Sequence, residues 1–185
     1  MSEHRPEHRE VPDGHGLRVA IAVSRFNATV TSGLLDGARG ALREAGVAEA
    51  EILVVHVPGA LELPVVLTAL ARRRQHHALI ALGAVIGGDT DHYEHVCREA
   101  MHGLSELARS GVRDGQGWSG PLALGNGLLT CRTAGQARER CAPDARNKGA
   151  EAARSALEVA RLLSSLSAPD NAAPAQPRSP KQGAS

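Results

Sequence analysis

Four short apolar runs recur along the chain, each bounded by glycine, proline or polar residues. They are LRVAIAV (17–23), EILVVHV (51–57), ALIALGAVI (78–86) and PLALGN (121–126). Continuous apolar runs of this length between turn residues are typical of strands buried on both faces. The pattern therefore predicts four buried strands.

Apolar residues with helical spacing separate these runs. The positions that keep this spacing are Leu34, Leu35, Ala38, Ala41, Leu42 and Ala45, then Val96, Ala100, Leu104 and Leu107, and finally Ala153, Ala156, Leu157, Ala160 and Leu163. A further helix is expected from Pro64 to about Arg73, because proline fits a first helical turn. Alternating strands and helices form right-handed crossovers, so we predict a parallel sheet covered by helices on both faces.

The two ends of the chain differ from this central region. Residues 1–16 are polar, and residues 167–185 are rich in proline, alanine and serine. We expect a flexible N-terminal tail at 1–16, one α/β domain at 17–166 and a disordered C-terminal tail at 167–185. The formal net charge of +1 provides no field that would attract nucleic acid or an anionic membrane, so neither partner is expected.

The cysteines and the chain start indicate a compartment. Cys97, Cys131 and Cys141 form no CxxC motif, which argues against a disulfide framework and favours a reducing cytoplasm. The charged start MSEHRPEHRE has no apolar export segment, and no apolar run is long enough to span a bilayer. We therefore expect a cytoplasmic protein.

The carboxyl ends of parallel strands share one rim of a sheet, and ligands of such folds bind there. The segments that follow the four predicted strands are SRFN (24–27), PGALELP (58–64), GGDTDH (87–92) and GLLT (127–130). GGDTDH joins a strand to a helix, so its free N–H groups could bind a phosphate. The structural alternative is that Asp89 or Thr90 caps the helix, with Asp91 and Glu94 favourable in its first turn.

Other side chains near this rim have a functional and a structural interpretation. His92 either transfers protons from the first helical turn or is simply exposed. His92, His95 and Cys97 do not line one helical face, which disfavours a zinc site. Phe26, the one phenylalanine, either stacks on a planar ring or packs its loop against a helix. Glu62 either favours the helix dipole or binds hydroxyl groups of a ligand.

A basic segment, RERCAPDARNKG (138–149), follows further along the chain. Such a charge run is usually a solvated face. An arginine and a lysine from it would, however, supply the cations that a phosphate at the acidic GGDT turn requires.

Together these motifs resemble the lumazine synthase family. The matching segments are SRFN, VPGALELP, GAVIGGDTDHYEHV, GNGLLT, GQARERC and NKGAEAA, in family order from about Leu17 to Leu166. The resemblance implies a flavodoxin-like, three-layer αβα sandwich with a four-stranded parallel sheet. It implies a transferase that condenses 5-amino-6-(D-ribitylamino)uracil with 3,4-dihydroxy-2-butanone 4-phosphate, through an imine, to 6,7-dimethyl-8-ribityllumazine. Phosphate and water leave in this penultimate step of riboflavin biosynthesis, and no metal or organic cofactor is implied.

The resemblance also implies residue roles. The residues implied to bind substrate are Phe26, Ala60, Leu61, Glu62, Val85, Ile86, Asp89, Thr90, Asn126, Arg140 and Lys148. Phe26 would stack on the pyrimidine, residues 60–62 would hold the ring and ribityl chain, and residues 85–86 would contact the ring through their backbone. The backbone N–H groups of residues 89–90 would bind phosphate with Arg140 as counter-charge. His92 would be the catalytic proton carrier.

In the family an adjacent subunit supplies the positions matching Asn126, Arg140 and Lys148, which implies a homopentamer. The short connection from Arg140 to Lys148 leads to the hypothesis of an icosahedral capsid-like shell. Position 126 is Phe in many members and Asn in some. Gly87 stands where the family commonly has Arg, and the segment 109–120 is longer than usual and expected at the rim opposite the pocket.

Two other classes of function remain open. A non-catalytic flavin- or lumazine-binding shell protein would use the same stacking and ribityl contacts without turnover. A nicotinamide oxidoreductase is disfavoured, because no GxGxxG follows the first strand.

Overall fold

The computed structural model describes residues 11–167 of the chain, so residues 1–10 and 168–185 of the two expected tails lie outside it. The strands are β1 (Val19–Ser24), β2 (Ile52–Val57), β3 (Ala78–Ile86), β4 (Arg113–Asp114), β5 (Gly117–Trp118) and β6 (Leu124–Cys131). The helices are α1 (Ala28–Glu44), α2 (Glu62–Arg72), α3 (His92–Ser110), α4 (Ala134–Cys141) and α5 (Lys148–Ser167). A short 3₁₀ turn, Glu49–Glu51, precedes β2.

Strands β2, β1, β3 and β6 form a four-stranded parallel sheet in that order. Alternate residues of β1 face opposite sides of it: Val19, Ile21 and Val23 pack with α1, α4 and α5. Ala20 and Ala22 pack with α2 and α3. The predicted three-layer αβα sandwich with a flavodoxin-like strand order is therefore confirmed.

The last strand of the sheet begins and ends later than the sequence pattern predicts. It covers Leu124–Cys131 and not 121–126, so GLLT lies inside the strand and not on the rim. In the sequence, Gly125 and Gly127 look like turn residues at the end of a strand. In the structure they lie inside β6, where a β-carbon on Gly127 would lie 2.7 Å from a Leu82 methyl and 3.3 Å from the Ala152 β-carbon. The glycines allow α5 and β3 to pack closely against β6, and the residue that follows this strand on the rim is Arg132.

The long segment before this strand forms a small antiparallel hairpin, β4–β5. Arg74, which lies between α2 and β3, donates from Nη2 to the carbonyl of Gly117 at 2.9 Å. The hairpin therefore lies at the amino-terminal edge of the sheet, opposite the carboxyl rim, as expected. Among residues 11–167, no helix combines the length and apolar character that a membrane crossing requires.

The connection between α4 and α5 is held by Asn147, whose side chain is buried. Its Nδ2 donates to the carbonyls of Gly33, Cys141 and Ala142, each at 3.0 Å. Its Oδ1 accepts from the backbone N–H groups at the start of α5, Gly149 at 2.9 Å and Ala150 at 3.1 Å. One amide group therefore ties α1, α4 and α5 together and fixes the segment between Arg140 and Lys148.

We expect Asn147→Ala to lower the free energy of unfolding by about 2–3 kcal/mol, because it leaves several buried carbonyl and N–H groups without a partner. Chemical denaturation at fixed protein concentration measures this loss, since assembly would make stability depend on concentration. The control Ser105→Ala, on the exposed face of α3, is expected to stay within about 0.5 kcal/mol of the parent. Equal stability of the two variants would contradict the role given to Asn147.

Candidate active site

The loop between β1 and α1 places Phe26 on the carboxyl rim. Its side chain is 73% exposed, and its backbone N–H donates to the Pro58 carbonyl at 3.3 Å. The ring edge lies 3.9 Å from the point that a β-carbon on Gly59 would occupy. The ring is therefore not packed against a helix of its own chain. It stands beside the β2–α2 loop with its surface accessible to a planar ligand.

Asn27, the next residue, fixes this loop against the end of β3. Its backbone is left-handed, with φ 57° and ψ 48°, and it is the N-cap residue of α1. Its Nδ2 donates to the Ala84 carbonyl at 2.8 Å. Sequence reasoning did not assign Asn27 a role, although an asparagine after a strand is a common signal for a left-handed residue.

The β2–α2 loop brings residues 60–62 to the same rim. Ala60 is buried, Leu61 is 42% exposed, and Glu62 begins α2. Glu62 Oε2 accepts a hydrogen bond from the Gly59 N–H at 2.8 Å. The carboxylate therefore closes its own loop and lies at the positive end of the helix dipole, which is the structural role considered for it.

The turn between β3 and α3 carries the acidic residues. Val85 and Ile86 end β3 half-buried, and the Gly87 N–H continues the ladder to the Cys131 carbonyl at 2.8 Å. The N-cap of α3 is Asp91, and its side chain makes no capping hydrogen bond. The expectation that Asp89 or Thr90 caps the helix is therefore wrong. Both side chains are exposed, because the turn extends to residue 91 before the helix begins.

A hollow of about 400 Å³ opens at this turn. Its lining residues are Gly87, Gly88, Asp89, Thr90, Asp91, Tyr93, Glu94 and Arg132. His92, the first residue of α3, is exposed between two of these lining residues. The sequence analysis did not identify Arg132 as a rim residue. It placed the end of the fourth strand at residue 126, before GLLT, whereas the strand ends five residues later, at Cys131.

The phenol of Tyr93 is neutral at physiological pH. Burial is the main effect that raises the pKa of Tyr93, and the nearby Cys97 adds to it, while the positive charge of Arg132 opposes them. Tyr93 therefore lines the hollow as a neutral phenol whose hydroxyl has the Cys97 thiol as a hydrogen-bond partner.

The three cysteines near this part of the fold are free. Burial raises the pKa of each thiol, and the Arg140 charge partly opposes that shift at Cys131. Protonated thiols are weak nucleophiles, so the residues described do not indicate cysteine catalysis. Among residues 11–167 no cluster of histidine, cysteine and carboxylate side chains has the geometry of a metal site.

Within one chain, Arg140 and Lys148 do not line the hollow. Arg140 lies in the last turn of α4, where Nη1 donates to the Gln136 carbonyl at 2.9 Å. Lys148 begins α5 and pairs with Glu151 at 2.6 Å. Both side chains are at least partly exposed and therefore accessible to a neighbouring molecule.

Asn126 also lies away from the hollow. It stands opposite Ala81 in the β3–β6 ladder, five residues before the end of β6, or about 16 Å along the strand. Its Nδ2 contacts the Met101 sulfur at 3.1 Å, and its Oδ1 accepts from the Leu128 N–H at 3.0 Å. The chain therefore assembles the residues of SRFN, PGALELP and GGDTDH, but not Asn126, Arg140 or Lys148.

The exposed aromatic ring, the exposed histidine and the helix amino terminus all lie on the carboxyl rim of a parallel sheet, which is where α/β proteins bind small molecules. A protein-family model described as 6,7-dimethyl-8-ribityllumazine synthase matches residues 16–164. The chain therefore belongs to the 6,7-dimethyl-8-ribityllumazine synthase family, whose members are transferases of riboflavin biosynthesis. The resemblance inferred from the motifs is confirmed.

Several proteins named 6,7-dimethyl-8-ribityllumazine synthase are similar to this chain. The protein of Anaeromyxobacter sp. (strain Fw109-5) is 45% identical over 148 residues, which cover 80% of this chain and 85% of that protein. The Nitrosomonas europaea protein is 44% identical over 162 residues, 88% of this chain and 91% of its own length. A Thermus thermophilus protein is 44% identical over 152 residues, 82% and 91% of the two chains.

We expect Asn27→Gly to lower the free energy of unfolding by about 1 kcal/mol, because it keeps the left-handed backbone and loses the bond to Ala84. Asn27→Ala loses that bond and also strains the backbone, so its loss is expected at about 2–3 kcal/mol. Thermal or chemical unfolding of both variants separates the two contributions. Equal losses would show that backbone handedness at this residue contributes nothing.

Proposed function

We propose that this chain condenses 5-amino-6-(D-ribitylamino)uracil with 3,4-dihydroxy-2-butanone 4-phosphate to 6,7-dimethyl-8-ribityllumazine, releasing phosphate and water. The observation that carries the proposal is the common rim: Phe26, the start of α2 and the turn before His92 lie at the carboxyl ends of adjacent strands, in a chain of this family. The surface proposed to bind the ring and the turn proposed to bind the anion therefore lie on the same rim.

The pyrimidine is assigned to the surface beside Phe26. The exposed ring offers a stacking face, and Ala60 with Leu61 forms the adjoining loop. The carbonyl and N–H groups at Val85 and Ile86 are at the end of a central strand, where a planar heterocycle can exchange backbone hydrogen bonds. Glu62 is assigned to the ribityl chain, whose hydroxyl groups are donors to a carboxylate.

The phosphate is assigned to the hollow at the start of α3. The N–H groups of Asp89 and Thr90 lie in the turn that leads into the helix, and the helix dipole favours an anion there. The carboxylates of the turn oppose this binding. Arg140 is the proposed counter-charge, with Lys148 near the same substrate.

His92 is assigned the proton transfers. Imine formation requires a proton to reach the departing hydroxyl oxygen, and elimination of phosphate requires one to leave carbon. His92 is exposed and lies between two residues that line the hollow, which supports its assignment to both proton transfers.

Because Asn126, Arg140 and Lys148 lie away from the hollow of their own chain, we assign them to the site of an adjacent subunit in a homopentamer. Exposed apolar residues on the edge strand, in the β2–α2 loop and on α2 support such an assembly: Leu53 is 37% exposed, Leu61 42% and Val65 66%. Their burial between subunits would be favourable. An icosahedral shell of such pentamers is a further hypothesis, which light scattering would distinguish from a pentamer. The proposed compartment is a reducing cytoplasm, consistent with the free thiols.

The parent protein, supplied with both substrates, is expected to release phosphate and the fluorescent lumazine together. His92→Ala is expected to lower kcat about a hundredfold or more with little change in binding, as for loss of a proton-transfer group. Arg140→Ala is expected to raise the KM of the phosphorylated substrate roughly tenfold to a hundredfold and to leave the KM of the pyrimidine unchanged.

His102→Ala, an exposed histidine further along α3, is the control and is expected to match the parent. Substrate binding without either product would favour the alternative of a non-catalytic flavin- or lumazine-binding shell protein. Small and equal effects of His92→Ala and Arg140→Ala would contradict the assigned roles.

The shared site predicts complementation between two inactive variants. In rings assembled from equal amounts of His92→Ala and Arg140→Ala chains, about a quarter of the sites would combine an intact His92 with an intact Arg140 of the neighbour. Activity is therefore expected to return after the two proteins are unfolded and reassembled together, and not when they are assembled separately. If every site lay within one chain, the mixed assembly would stay as inactive as its parents.

A further inference from the structure

The end of β6 places Arg132 directly beside the turn that leads into α3. Ile86 and Cys131 are the last paired residues of the β3–β6 ladder, so Gly87 and Arg132 follow them side by side. The Arg132 N–H donates to Gln136 Oε1 at 2.9 Å, within the capping box that begins α4. The N–H of Arg132 is therefore fixed by the start of α4, and the preceding carbonyl, of Cys131, accepts from the Gly87 N–H at 2.8 Å.

The environment of the Arg132 guanidinium differs from that of Arg140 and Lys148, the cations proposed to come from a neighbouring subunit. Arg132 is exposed and lines the hollow, and its charge acts on Tyr93 of the same lining. Within residues 11–167, no hydrogen bond or ion pair joins the guanidinium to another residue. It is the one cation among the eight lining residues, against the carboxylates of Asp89, Asp91 and Glu94. Arg140 and Lys148 each have a partner in their own chain.

Gly87 lies directly beside the backbone of Arg132. A β-carbon on residue 87 would lie 3.0 Å from the Arg132 carbonyl oxygen and 3.4 Å from its Cα, closer than most contacts of that kind. A side chain at 87 would therefore require the end of β6 to shift by a few tenths of an ångström. The glycine stands where the resemblance implies an arginine, and among the residues that line the hollow the cation comes from the end of the next strand instead.

We propose that Arg132 is a further substrate-binding residue, which holds the phosphate of the four-carbon substrate by charge-assisted hydrogen bonds from the same chain as His92. This inference depends on the proposed function. A phosphate monoester is mostly a dianion at neutral pH, and the hollow has three carboxylates against one arginine. A planar guanidinium can bind two phosphate oxygens at once, so Arg132 offsets part of this repulsion before any neighbouring chain contributes.

The experiment measures steady-state kinetics of the assembled protein with each substrate varied in turn. Arg132→Gln is expected to raise the KM of the phosphorylated substrate roughly tenfold to a hundredfold and to leave the KM of the pyrimidine unchanged. Arg132→Lys, which keeps a point charge and loses the two-pronged contact, is expected to fall between Arg132→Gln and the parent. The inhibition constant of inorganic phosphate is expected to rise in parallel.

Arg98→Gln is the matched control, because it removes an exposed arginine from α3 that does not line the hollow. An unchanged KM and an unchanged phosphate inhibition constant in Arg132→Gln, with the parent active, would overturn the inference and leave the proposed function intact. If Arg132→Gln raised the KM of both substrates equally and lowered the melting temperature, the inference would also be overturned, because Arg132 would then have a structural role. If the parent protein forms no lumazine, the proposed function itself is contradicted. Direct titration of the parent and of Arg132→Gln with inorganic phosphate then tests whether Arg132 binds the anion.

Discussion

The parallel ladder between β3 and β6 is the constraint on which the geometry of the site depends. It pairs eight residues of each strand, from Leu79 with Leu124 to Ile86 with Cys131, and so brings the acidic turn and Arg132 to the same level. Close packing makes this ladder possible, because Gly125 and Gly127 leave room for α5 and for a leucine of β3. A side chain at either glycine would separate these layers and, with them, the two halves of the hollow.

A second constraint acts on the segment between α4 and α5, which joins Arg140 to Lys148. The amide of Asn147 satisfies three carbonyls and two N–H groups, and this compensates for burying a polar side chain between three helices. It leaves little freedom to the few residues between Arg140 and Lys148. These two side chains are therefore presented at a fixed place on the outside of the chain, which is what a residue that serves a neighbouring subunit requires.

Sequence reasoning predicted the order of the elements and three of the four main strands, because apolar runs and helical spacing report burial directly. It misplaced the fourth strand because the glycines there allow close packing and do not form a turn. A single sequence does not distinguish a glycine needed for close packing from a glycine in a turn. Arg132 was missed for the same reason. The N-cap of α3 was also misplaced by one or two residues, since an acidic turn offers several equivalent capping residues. Residue roles such as those of Asn27 and Asn147 depend on contacts between distant segments, which no local pattern reports.

The acidic lining of the hollow suits the proposed binding of a phosphate that must be released during the reaction. Carboxylates beside a bound dianion weaken its retention, whereas a cation strengthens it, so the balance between them sets how tightly substrate and released phosphate are held. Tight binding of both would slow the release of product without accelerating the chemistry. A hollow with Asp89, Asp91 and Glu94 and one cation of its own would bind the phosphorylated substrate more tightly when a neighbour in the assembly adds a second cation. It would then release inorganic phosphate readily, because the free ion lacks the carbon chain that adds to substrate binding.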